Sequence, residues 1–68
     1  MKITDFKFYR KNNRYYFESD LLEGKIYLMD KKVNHIVIDN GDDNNTTYYE
    51  LIDLFNSNIA AVLGAEEV

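Results

Sequence analysis

Two aromatic stretches, Phe6-Lys7-Phe8-Tyr9 and Tyr15-Tyr16-Phe17, stand on either side of Asn12-Asn13. Asparagine tolerates the positive φ of a tight two-residue hairpin turn. With Asn12-Asn13 at the centre of such a turn, Tyr9 faces Tyr16, Phe8 faces Phe17 and Lys7 faces Glu18. Aromatic pairs and one opposite-charge pair across a ladder stabilise a hairpin. Alternation along Ile3 to Arg10 extends the first strand back to Ile3, with Phe6 and Phe8 on one side and Asp5 and Lys7 on the other.

The pattern continues as a meander. Glu23-Gly24 is read as the next turn, which puts Leu21 opposite Ile26 and Ser19 opposite Leu28. A third strand then covers about Lys25 to Asp30, and a fourth covers His35 to Asp39. A two-residue loop at Lys31-Lys32 would put Leu28 opposite His35. A three-residue loop from Lys31 to Val33 instead aligns Leu28 with Ile36 and Ile26 with Ile38, so parity favours the second register.

Helical spacing begins after the polar run Asn40 to Asn45. Thr47 and Glu50 fit a capping box, with Thr47 at the N-cap. Tyr48, Leu51, Ile52, Phe55, Ile59, Val62 and Leu63 fall on one stripe of one helix, and Gly64 is placed for a left-handed cap. Residues 65–68 are expected to fray. The expected fold is α+β: a four-stranded antiparallel meander with one C-terminal helix on one face, forming a single domain over residues 1–64. The helix covers the face bearing Phe6, Phe8, Tyr15, Phe17, Ile26, Leu28, Ile36 and Ile38. Nothing remains to cover the other face, where Ile3, Tyr9, Tyr16, Tyr27, Met29 and Val37 stand among charges.

Composition narrows the chemistry. The 68 residues hold no cysteine and no proline, so disulfides, thiolate metal sites and cysteine nucleophiles are excluded. Absence of cysteine agrees with a reducing, cytoplasmic setting. The N-terminus alternates instead of forming the apolar stretch of a signal peptide, and no apolar run is long enough to span a membrane. His35 is the only histidine, Ser19 and Ser57 lie in no catalytic motif, and the three glycines form no phosphate loop. No enzyme, metal or cofactor is expected. Asp39 to Glu50 has the length of a calcium loop, but Gly41 stands where an oxygen is needed and Asn44 where the turn requires glycine.

The net charge is −4, unevenly spread. Residues 1–14 carry Lys2, Lys7, Arg10, Lys11 and Arg14 against Asp5, a balance of +4; the remainder carries three lysines against eleven acids, a balance of −8. The acidic excess argues against nucleic acid as a general partner. A basic, aromatic tip over residues 9–16, with Arg10, Lys11 and Arg14, is the local exception and the place where nucleic acid would bind. The favoured partner is another protein, met by Tyr9, Tyr16, Tyr27, Met29 and Val37 together with Asp39, Asp42 and Asp43. A second copy of the chain is the alternative occupant of that face.

No family is recognised in these residues. In length, acidity, lack of cysteine and richness in Asn, Asp, Lys, Ile and Tyr, the chain resembles the small inhibitors of phages and mobile elements, anti-CRISPR and other anti-defence proteins among them. The resemblance is compositional and carries no residue across. It implies a stoichiometric inhibitor or regulator of a nucleic-acid-handling protein, such as a basic enzyme whose groove an acidic surface would occupy.

Overall fold

The computed structural model describes residues 1–42 and 44–68. A 3₁₀ turn, Ile3–Asp5, leads into β1 (Lys7–Lys11), β2 (Arg14–Glu18), β3 (Glu23–Met29) and β4 (Lys32–Asn40). Helices α1 (Asn45–Ser57) and α2 (Ile59–Leu63) follow, then a short β5 (Glu66–Glu67). The sheet is five-stranded and mixed, in the order β4-β3-β2-β1-β5, with β5 parallel to β1.

The first hairpin forms as its sequence predicts. Tyr9 pairs with Tyr16, Phe8 with Phe17 and Lys7 with Glu18. Asn12 and Asn13 both adopt left-handed φ, 54° and 63°, as a turn matched to the twist of the strands requires. The strand starts later than its alternation suggests. Ile3–Asp5 coils back into a 3₁₀ turn in which the Asp5 carboxylate accepts from the Lys2 N–H at 2.9 Å. This lets Ile3 pack against the core.

The second connection differs from the expected Glu23-Gly24 turn. The chain reverses over Ser19 to Leu22, where the Ser19 N–H donates to the Leu22 carbonyl at 2.7 Å and the Ser19 hydroxyl accepts from the Leu22 N–H at 3.1 Å. Gly24 lies inside β3 opposite Phe17. A Cβ there would collide with the Val37 carbonyl and stand 2.9 Å from Phe17 Cζ. Glycine marks close packing here, not a turn.

The third connection is shorter than expected. Asp30 and Lys31, at φ 53° and 64°, make a two-residue turn that pairs Met29 with Lys32 and Leu28 with Val33. A register shift between Tyr27 and Leu28 leaves Asn34 as the extra residue on β4, after which Tyr27 pairs with His35 and Ile26 with Ile36. The β-bulge restores parity, so the apolar face survives a loop that would otherwise scramble it.

The helical region departs from one continuous helix. Asn44 is the N-cap of α1, its side chain accepting from the Thr47 N–H at 2.9 Å, so Thr47 sits inside the first turn. At Asn58 the backbone leaves helical geometry (φ −129°, ψ 40°), while the Asn58 side chain donates to the Leu54 carbonyl at 2.9 Å. The break redirects α2 so that Val62 enters the core. Gly64, at φ −83°, is not a left-handed cap. Residues 65–68 are tied down instead of frayed: Ala65 is buried, and the Val68 N–H donates to the Arg10 carbonyl at 2.8 Å.

The core lies between one sheet face and α1–α2. Phe6, Phe17, Ile26, Val33, Ile36, Leu51, Phe55 and Val62 are buried there, with Phe8, Tyr15, Leu28 and Ile38 packed against them. Phe55 meets Phe6, Phe8 and Phe17 with ring centroids 5.2–5.3 Å apart, near-perpendicular for the first two. Such contacts add about 0.5–1.5 kcal/mol each beyond the area they bury.

Candidate interaction face

The helices cover only one side of the sheet. The registers place the residues of the other side in rows. Glu66, Tyr9, Tyr16, Lys25 and Val37 form a central row across all five strands. Toward the Asn12-Asn13 tip come Lys11 and Arg14, then Tyr27 and His35, with Met29 and Lys32 beyond. Arg14 falls beside Tyr27 when the Tyr15–Ile26 register is continued. Toward the other end come Lys7, Glu18, Glu23 and Asn40.

The tyrosines expected on this face are there, to different depths. Tyr9 and Tyr16 stack at 5.0 Å with planes 9° apart and are half-buried by one another, as is Val37. Tyr27 and Met29 are the open apolar positions, 40% and 60% exposed. Ile3, expected here, belongs to the core side. Lys25 Nζ reaches the Asp39 carboxylate at 3.2 Å, placing Asp39 on the same face. Burial raises the Tyr9 phenol above its ordinary pKa, and the Glu18 and Glu23 carboxylates, Tyr16 and Asp39 add to the shift. Those groups disfavour a phenolate on that row.

Charge is sorted along the strand direction. The turns Asn12-Asn13 and Asp30-Lys31 share one end of the sheet, because each joins an antiparallel pair at its top. That end gathers Lys11, Arg14, Lys31 and Lys32 against Asp30, a balance of +3. The Ser19–Leu22 loop and the segment after Asn40 share the opposite end, with Glu18, Asp20, Glu23 and Asp42. In the sequence Arg10 groups with Lys11 and Arg14 at the hairpin tip. Arg10 instead points to the core side, where its Nε donates to the Ala65 carbonyl at 2.9 Å, its guanidinium lies 6.0 Å over Tyr15 and Glu67 stands 4.0 Å away. Lys31 and Lys32 take its place in the basic cluster.

The acidic loop is put to structural use. The Asp42 carboxylate accepts from the Asn44 N–H at 3.1 Å and from the Asn44 side chain at 2.8 Å, which steadies the helix cap. Asp43 lies outside the described residues. The sequence marks His35 only as a strand residue. Its Nδ1 lies 2.6 Å from the Tyr48 hydroxyl, and its ring is 5.9 Å from Tyr27, so it carries the aromatic surface around the β4 edge onto α1.

Among the described residues no three His, Asp or Glu side chains come close enough to hold a metal ion, and no helix is long and apolar enough to cross a membrane. The arrangement can bind through stacked aromatics and paired charges. No protein family, curated protein or solved structure matches the chain.

Proposed function

We propose that the protein is a non-catalytic interaction domain that docks on another polypeptide through the outer face of its sheet. One observation carries this reading: Tyr27 and Met29 stand open beside the Tyr9–Tyr16 stack on a face that no element of the described chain covers. Tyrosine and methionine are enriched where proteins meet, and clustered exposed apolar side chains mark interfaces more than scattered ones do.

A second reading draws on the sorted charge. Glu18, Asp20, Glu23 and Asp42 at one end suit a small stoichiometric inhibitor that presents acids to a basic nucleic-acid-handling protein. Its support is compositional, including the likeness to phage and mobile-element inhibitors, and it names no residue that must touch the target.

The test is the double variant Tyr27→Glu with Met29→Glu. Both side chains are exposed, so the variant keeps its fold and melts near the wild type. In affinity capture from the cells that make the protein, it loses partners that the wild type retains. Unchanged capture by a folded variant rejects the outer face, and an unfolded variant shows that the face is core.

A further inference from the structure

We infer that the occupant of the outer sheet face is a second copy of the same chain, docked face to face with its strands antiparallel to the first. The inference rests on the reading of that face as a docking surface and adds the identity of the partner. It follows from where the charges lie. On the face itself, Lys11, Arg14 and Lys32 stand toward the hairpin tips, while Glu18 and Glu23 stand toward the other end, with Lys7 at the corner of that row. Lys25 and Asp39 neutralise each other between them.

A two-fold interface is self-complementary: what one copy offers, the other must accept. A two-fold axis running along the strands would lay basic rows on basic rows. An axis running across the strands, along the Tyr9–Tyr16–Lys25–Val37 row, reverses each strand against its mate. The basic half of one copy then covers the acidic half of the other. Because Arg14 and Glu18 both lie on β2, one on either side of Tyr16, Arg14 of each copy meets Glu18 of its mate. Tyr16 meets its own symmetry mate, and Tyr27 covers the row of Glu23. Like charges approach at three places: Lys7 meets Lys11, and on the axis Glu66 and Lys25 each meet their own symmetry mate. Asp39 neutralises Lys25, and the other two approaches lie toward the β1–β5 side, where solvent screens them.

The size is sufficient for a weak dimer. Strands about 4.8 Å apart and about 20 Å long give a five-stranded face roughly 400 Å² in projection. Two such faces bury about 800 Å² together in projection, and somewhat more with the relief of the side chains, which is the size of weak, transient interfaces. Association of this kind is weak and visible as a dependence on concentration.

A charge swap tests the pairing. In sedimentation the wild type forms dimers as concentration rises. Arg14→Glu makes both ends of β2 acidic and Glu18→Arg makes both basic, so in each variant the central Arg14–Glu18 pairs become like-charge pairs, and each variant alone associates at least tenfold more weakly while its circular dichroism stays native. Mixed in equal amounts they recover dimer, because each reversed end meets its opposite twice. A wild type that stays monomeric up to about 1 mM overturns the inference, while the Tyr27→Glu, Met29→Glu capture still decides whether the face docks on another protein. Failure of the mixture to recover dimer also overturns it. So does salt-sensitive binding of single-stranded DNA by the monomer that Arg14→Glu abolishes, which would assign the basic half to a polyanion.

Discussion

Asn56 holds both polar groups of Val33 in the edge strand: its Oδ1 accepts from the Val33 N–H at 2.8 Å, and its Nδ2 donates to the Val33 carbonyl at 3.0 Å. The amide of α1 thus acts as one residue of a missing neighbouring strand. It sits beside the bulge at Asn34, where β4 would otherwise present unpaired groups to any passing chain. Asn56→Ala leaves a buried residue's N–H and C=O without their side-chain partner and costs about 1–3 kcal/mol. Asn56→Asp keeps the acceptor, loses the donor and falls between. Urea unfolding orders the three proteins. Equal stability of wild type and Asn56→Ala would show that water replaces the amide at no cost.

The start of α1 turns on Asn44, not on the Thr47 expected from the capping-box pattern. Asn44 accepts from the Thr47 N–H, and Asp42 holds the Asn44 side chain in place. Thr47 offers only a long 3.4 Å contact from its hydroxyl to Asp42. Asn44→Ala therefore lowers stability by about 1 kcal/mol, and Thr47→Ala by a few tenths. Thermal melting separates the two, and the reverse order would return the cap to Thr47.

Some of this was legible from the chain and some was not, for physical reasons. The first hairpin was readable because two left-handed residues are needed at its turn and Asn12-Asn13 supplies them. The division of Phe17 and Ile26 from Tyr16 and Tyr27 was readable because strand side chains alternate. The register of β3 with β4 was not. Parity reasoning assumes an unbroken ladder, and the extra residue Asn34 breaks it. Gly24 misled because glycine serves turns and close approaches alike, and only the position of the Val37 carbonyl tells them apart. β5 left no local signal, since Glu66 and Glu67 are poor strand formers; their pairing depends on the redirection at Asn58. The basic cluster was half seen, because Lys31 and Lys32 join Lys11 and Arg14 only when two separate turns are placed at the same end of one sheet.

Tyr9 supplies a pH-dependent check on the outer face. Its raised pKa means that the folded protein holds the phenol proton more tightly than the unfolded chain does. Below pH about 10 both states keep the proton, and the group has no effect on stability. As pH rises past that value the unfolded chain releases the proton first, so stability falls until the folded pKa is passed. Tyr9→Phe removes this loss. Its melting temperature declines less steeply than the wild type's between about pH 9 and 11, and at pH 7 the two differ only by the change in packing and any lost hydroxyl contact. Salt separates the causes. Glu18 and Glu23 act through space and are screened by added salt, whereas burial, the larger cause, is not. Raising the ionic strength should therefore narrow the gap between Tyr9→Phe and wild type at alkaline pH without closing it. A gap that closes completely would mean that the Tyr9 ring is open to water and that the Tyr9–Tyr16 stack does not persist in solution.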